Sequence, residues 1–313
     1  MTTVALPAPT DAVERRGTAG REPLRGRFAD YLALTKPRII VLLEFTALAA
    51  MVMAAGGWPR TLTVCLTLAG GALAAGGANT INMWFDRDID RTMTRTCARP
   101  IPSGRITPAR ALSFGIAQGV AAFLLLTVTV NLLSAALAIA ALLFYVGVYT
   151  MWLKRTSAQN IVIGGAAGAM PPLVGWAAVT GHLDLTAIYL FAVIFFWTPP
   201  HFWALALLMR SDYRRAGVPM LPVVEGMART RTAILQYTVI MVIVTILPVL
   251  AHSFGWTYII GATILNAVFV AGAVRLSRTR TAAAAAWLFH YSLLYLALLF
   301  ATMAADRVIG ITT

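Results

Sequence analysis

Apolar runs of about 20 residues recur along almost the whole chain, and no other feature constrains its fold as strongly. A helix rises about 1.5 Å per residue, so a run of that length matches a hydrocarbon core about 30 Å thick. In lipid every backbone amide must be satisfied inside the structure, which leaves helices and closed barrels. Spanning strands would show as alternating segments of about ten residues; none is visible here. The chain is 59% hydrophobic and only 12% charged, against roughly 25% charged for a soluble domain. The expected fold is all-α: a polytopic membrane helical bundle of nine transmembrane helices. The spans are expected at roughly 39–56, 61–83, 109–130, 132–152, 160–179, 185–209, 232–251, 255–274 and 283–304. One bundle over residues 31–305 accounts for the chain. Residues 1–30 are rich in Arg, Pro and Thr, with four acids and no apolar core. They lack the h-region of a signal peptide and are expected to be a disordered tail. Residues 306–313 are expected to be a short outer tail.

The net charge of +13 could suggest nucleic acid, but topology explains it, and no nucleic-acid partner is expected. All Lys and Arg residues other than Arg60 and Arg307 fall in the N-terminal tail, the even-to-odd connections or their flanks. Positive-inside bias then puts the N-terminus in the cytoplasm and the C-terminus outside. Arg-rich transit peptides are poor in acids, so the expectation is a bacterial inner (cytoplasmic) membrane, with the basic face towards the cytoplasm. Cys65 and Cys97 offer neither a disulfide framework nor metal spacing.

Only twelve acids exist, and four of them end spans. Asp86, Asp88 and Asp90 end the second span, and Asp212 ends the sixth. Asn82, Asp86 and Asp90 are spaced i, i+4, i+8, so a helix projects them from nearly one face. Such a cluster repels itself unless a cation joins it. Magnesium suits it, because that ion is usually held by one or two carboxylates plus substrate phosphates. The matching substrate is a lipid with a diphosphate head. Asp88 lies off the shared face and is expected to be solvated or paired with arginine. Two acidic ends four spans apart suggest duplicated four-helix units plus a ninth helix, with a site between the halves. Glu44 lies about one turn inside the first span. It is either a functional group or a partner of Arg38 or Lys36. Gly70-Gly71 and Gly76-Gly77 are expected to let the second helix pack closely, and Gly164 to Pro172 to give close approach and a break.

Asn82, Asp86 and Asp90 form the N-x-x-x-D-x-x-x-D motif of the UbiA superfamily of intramembrane prenyltransferases, which this chain resembles. The stretch Arg91 to Gly104 is also similar to that family. The family's second motif is D-x-x-x-D; here it reads Asp212-Tyr213-Arg214-Arg215-Ala216, without the second aspartate. That departure, with Asp212 to Pro222, Trp197 to Trp203, Thr35-Lys36-Pro37 and Val148 to Arg155, resembles the protoheme IX farnesyltransferase branch. The resemblance implies transfer of a farnesyl group from farnesyl diphosphate to a vinyl carbon of haem B, giving haem O and diphosphate. It implies that Asp86, Asp90 and Asp212 are catalytic and hold Mg2+ together with Asn82. Lys154 and Arg155 would bind the diphosphate, with Arg95, Arg99 and Lys36 as further candidates. Trp84, Tyr145 and Tyr149 could stabilise a carbocation. His201, after Pro199-Pro200, could ligate haem iron or position a propionate, or else bond backbone freed by the prolines. Haem A synthase and a haem–copper oxidase are the partners implied downstream. Two competing readings are a related enzyme acting on an aromatic quinone precursor and a secondary transporter.

Overall fold

The computed structural model describes residues 24–250 and 253–312. Among them, nine helices are long and apolar enough to cross a membrane. In order they are Pro37–Ala55, Thr61–Phe85, Pro108–Thr129, Leu132–Thr156, Asn160–Thr180, Leu185–Leu208, Gly226–Leu250, Trp256–Thr279 and Ala282–Gly310. The architecture is therefore an all-α bundle with the expected span count. The starts follow local chemistry. Pro37 and Pro108 occupy first-turn positions, where the missing N–H costs nothing. Asn131 and Asp184 cap the fourth and sixth spans, accepting from Ser134 N at 2.8 Å and Ala187 N at 3.1 Å.

Several bounds differ from the sequence reading. The seventh helix begins at Gly226, because its polar first turns carry no hydropathy signal yet continue the helix beyond the membrane. Residues 1–23 lie outside the described residues, but Leu24–Thr35 is helical, so residues 24–30 are not the irregular tail expected there. The ninth helix runs on to Thr312, through most of the expected short tail. Asp306 is buried in it and accepts from Gly255 N at 2.7 Å and Tyr258 N at 3.1 Å. Those are unpaired amides at the start of the eighth span, so a carboxylate there satisfies donors and opposes the helix dipole. The fifth span breaks as expected, into Asn160–Gly168 and Pro171–Thr180. The fourth contains a π-helical stretch, Phe144–Leu153, which no periodicity announced.

The fifth and sixth spans are central, with 67% of each hydrophobic window buried, against 28% for the third and fourth. Trp197, Trp203, Ile234, Phe269, Leu288 and Tyr295 belong to the main core, between the sixth, seventh, eighth and ninth spans. Close approach elsewhere needs glycine. A Cβ on Gly77 would lie 2.8 Å from the Gly115 carbonyl oxygen, so the second and third spans touch backbone to backbone, as the paired glycines predict.

Candidate active site at the acidic ends of two spans

The second span ends at Phe85, and a short helix, Arg87–Thr92, follows directly. Asp86 lies at the junction and is fully buried. Asn82 Nδ2 donates to Asp86 Oδ2 at 2.7 Å and to Thr150 Oγ1 at 3.1 Å. Lys154 donates to the same carboxylate oxygen of Asp86. The π-helical stretch thus delivers two groups to this corner: Thr150 from its interior and Lys154 immediately after it. Lys36 closes the corner from the other side, its Nζ 2.9 Å from Asn82 Oδ1. Lys36 adopts φ 55°, left-handed for a non-glycine residue, a conformation that costs about 1–2 kcal/mol. Asn79 holds that turn by donating to the Thr35 carbonyl at 3.0 Å. Burial, then the charges of Arg99 and Lys154, push the Lys36 ammonium down to about 7.

Asp90, one turn on, is also buried. Arg99 NH1 lies 2.9 and 2.7 Å from its two carboxylate oxygens. Asp88 points away from this face. It receives Arg155 in a paired contact at 2.8 and 2.7 Å, and that hydrogen bond holds its carboxyl at about 2. Arg155 also reaches the other oxygen of Asp86, at 3.7 Å. The expected arginine partner of Asp88 is thus one of the residues expected on the diphosphate. Arg95 is exposed and makes no ion pair among the described residues.

The sixth span is followed by the helix Arg210–Arg215, where Asp212 is buried and paired with Arg215. Thr94 joins the two acidic ends: its hydroxyl lies 3.3 Å from Asp212 Oδ1 and accepts from Arg215 at 2.8 Å. A cavity of about 370 Å³ opens between them, flanked by Arg155 from one half and Arg215 from the other, with Asp88, Thr92 and Gly217. A larger groove of about 800 Å³ lies elsewhere, between helix Leu24–Thr35 and the third span, and is mostly apolar.

The oxygens suit a hard divalent cation. Asp86 Oδ1 is buried and accepts no hydrogen bond, with the Arg155 guanidinium 3.7 Å away, so this acceptor lacks a close donor. Convergence is incomplete. Among the described residues, no three acidic, histidine or cysteine side chains are grouped to hold a metal. Asp86, Asp90 and Asp212 are instead each neutralised by a cation from the chain. Asn82, expected as a ligand, turns its oxygen to Lys36. Asn79, Thr94, Thr150 and Arg215 escaped the sequence reading. Asn79 carried a signal, one helical turn before Asn82; the threonines carried none.

His201 lies deeper, on the sixth span, and is buried. The helix continues through Pro199 and Pro200. His201 does not bond carbonyls they free; its Nδ1 is 2.7 Å from Ser292 Oγ on the ninth helix. Glu44 pairs with neither Arg38 nor Lys36. Its carboxyl lies over Gly71 of the second span, within 2.8 Å of where a Cβ would be. Tyr145 and Tyr149 stack at 5.3 Å beside the corner, whereas Trp84 packs under Arg87. His252 lies outside the described residues.

The profile of the UbiA prenyltransferase family matches residues 43–299. The chain belongs to the UbiA prenyltransferase family. Within this UbiA protein, similarity to particular relatives is high. A protoheme IX farnesyltransferase from Roseiflexus sp. (strain RS-1) is 50% identical over 320 residues, 99% of this chain and 60% of that protein. One from Symbiobacterium thermophilum is 54% identical over 280 residues, 88% of this chain and 93% of that protein. The chain spans about three-fifths of the length of its Roseiflexus relatives. A solved UbiA homolog from Archaeoglobus fulgidus bound to DMAPP and Mg2+ covers 88% of this chain and 99% of its own, with a TM-score of 0.63 at 18% identity. A structure of digeranylgeranylglyceryl phosphate synthase gives a TM-score of 0.75 at 19% identity, covering 91% and 99%. At such identities the likeness is one of fold.

Proposed function

We propose that this protein transfers a farnesyl group from farnesyl diphosphate to a vinyl carbon of haem B, yielding haem O and diphosphate. The observation that carries the reading is the meeting of two acidic span ends through Thr94, with Arg155 and Arg215 flanking one cavity. The relatives named protoheme IX farnesyltransferase, one matched over 93% of its length, support haem as acceptor. The charge asymmetry supports a cytoplasm-facing site in a bacterial inner membrane.

Asp86, Asp90 and Asp212 would hold Mg2+ on exchanging their present partners, Lys154, Arg99 and Arg215. Bound there, the ion would supply Lewis-acid charge to the leaving diphosphate. The chain's own residues do the rest. The allylic C–O bond breaks, its electron pair leaves with diphosphate, and the farnesyl C1 bonds the terminal vinyl carbon. Water adds to the adjacent carbon and releases a proton, leaving a hydroxyethylfarnesyl group. Arg155 and Arg215 offer forked donors to the departing oxygens and Lys154 a point charge. Arg99, Arg95 and Lys36 surround the same end. These cations are in place before reaction, so their charge stabilises the leaving group without reorganisation. The apolar bundle shields the allylic cation from premature capture by water.

The test supplies membranes containing the protein with farnesyl diphosphate, Mg2+ and either haem B or 4-hydroxybenzoate. Haem O, identified by mass, is the expected product. Prenylated benzoate with unchanged haem would assign the chain to an aromatic acceptor instead. Ion flux in proteoliposomes without diphosphate release would point to a transporter.

A further inference from the structure

We propose that the groove of about 800 Å³ between helix Leu24–Thr35 and the third span binds one anionic phospholipid, its phosphate on Arg110 and an acyl chain laid along the furrow. Two helix faces build the groove. Phe28, Tyr31, Leu32 and Thr35 recur at i, i+3, i+4 and i+7, so helix Leu24–Thr35 lines it with one stripe. The third span contributes Arg110, Ser113, Phe114 and Gln118. Ala109 and Ser113 lie one turn apart on that span, and their short side chains leave the floor of the furrow open. Tyr31 and Phe114 meet edge to face at 4.9 Å and join the two walls.

Depth and polarity match a lipid. The lining on the third span runs from Ala109, next to the span's first residue, to Gln118. That is about 14 Å along the axis, roughly one leaflet of a hydrocarbon core about 30 Å thick. The inner polar groups are turned to the protein: Ser113 donates to the Ala109 carbonyl at 3.0 Å, and Gln118 Oε1 lies 3.4 Å from the Thr80 hydroxyl. The charge sits at the outer end. Arg110 is exposed, and its side chain has no ion-pair partner among the described residues. Asp30 is the only acid of helix Leu24–Thr35, and Arg105 Nε already pairs with it at 2.8 Å. Arg110 is therefore left for an anion from outside the chain, at the level where anionic headgroups meet basic side chains. One lining cation suits a phosphodiester of single charge. A diphosphate is better met at the acidic corner, where Lys36, Lys154, Arg99 and Arg155 gather. The two places are linked through the backbone. Thr35 lines the groove and directly precedes Lys36, and Asn79 holds its carbonyl at 3.0 Å. A lipid packed against helix Leu24–Thr35 braces the left-handed turn that aims Lys36 at Asn82.

The experiment delipidates the full-length protein in detergent and titrates it with phosphatidylglycerol or with phosphatidylcholine of the same chains. Native mass spectrometry counts bound lipid, and the melting temperature is followed in parallel. One phosphatidylglycerol should bind at concentrations where phosphatidylcholine does not, and should raise the melting temperature. Arg110→Gln should weaken phosphatidylglycerol binding about fivefold, the effect of one basic side chain beside an anionic headgroup. Ser113→Trp, which fills the furrow, should remove the bound lipid; Ser113→Leu serves if the tryptophan variant does not fold. Arg60→Gln, at the opposite membrane face, should change neither readout. Glycerol phosphate, a headgroup without chains, should not bind. Equal binding of the two lipids to the unaltered protein would overturn the proposal, as would phosphatidylglycerol binding that survives unchanged in Arg110→Gln and Ser113→Trp. Displacement of the bound lipid, one for one, by farnesyl diphosphate would also overturn it and make the groove a substrate entrance.

Discussion

Replacing Asp86 with asparagine separates the structural role of this corner from its chemical one. Asp86 is fully buried, and among the described residues its carboxylate is the only acceptor of Lys154, whose side chain is 16% exposed. Removing one partner of a buried ion pair costs about 3–5 kcal/mol, because the other charge is left uncompensated. Lys154 keeps some access to solvent, and asparagine still offers an oxygen, so the expected destabilisation is about 1–3 kcal/mol. Activity should fall further. Loss of one preorganised charge costs about a hundred- to thousandfold in rate. Asp86→Asn combined with Lys154→Met removes both charges and should recover most of the lost thermal stability in detergent, since the stranded ammonium disappears. It should recover none of the turnover, measured as diphosphate release with haem O formation. Recovery of turnover together with melting temperature would refute the reasoning, because Asp86 would then serve only to neutralise Lys154.

Asp306→Ala should destabilise the protein by about 1–2 kcal/mol through loss of the two amide contacts at Gly255 and Tyr258; thermal unfolding checks it, with turnover per folded molecule unchanged. Gly77→Leu should cost at least about 1–3 kcal/mol by forcing the second and third spans apart, read as lost monodisperse protein on size exclusion. The Asp88 carboxyl is depressed to about 2, so the stability from its link to Arg155 is present above about pH 4 and is lost only as pH falls through about 2. Asp88→Asn should therefore leave the acid limb of the activity profile unmoved between about pH 5 and 7, a range about three units or more above that loss. Chelating divalent cations should abolish turnover while farnesyl diphosphate still protects the protein from unfolding, through contacts with Arg155 and Arg215.

Hydropathy made the nine spans legible because lipid tolerates few alternatives, and the i, i+4, i+8 spacing marked the Asn82–Asp90 face because helical geometry is fixed. Other features depend on tertiary neighbours. Nothing local says that Asp90 selects Arg99 nine residues on while Asp86 selects Lys154 from another span. Asp306 looked like tail because its partners, the amides of Gly255 and Tyr258, are about 50 residues away in sequence. His201 stood out beside two prolines, but its real partner, Ser292, is on the ninth helix. The widened turns from Phe144 to Leu153 were hidden because side-chain chemistry is the same for α and π winding.

Those widened turns make the fourth span sensitive to length in a way its neighbours are not. Deleting a single residue between Phe144 and Leu153 would let the segment relax to ordinary winding, and each residue of register is worth about 100° of rotation. Lys154 and Arg155 would then be aimed at lipid or at a neighbouring helix, although every residue of the motif were still present in the gene. Substitutions can be absorbed along this segment; insertions and deletions cannot, and lineages that keep the chemistry should keep the count.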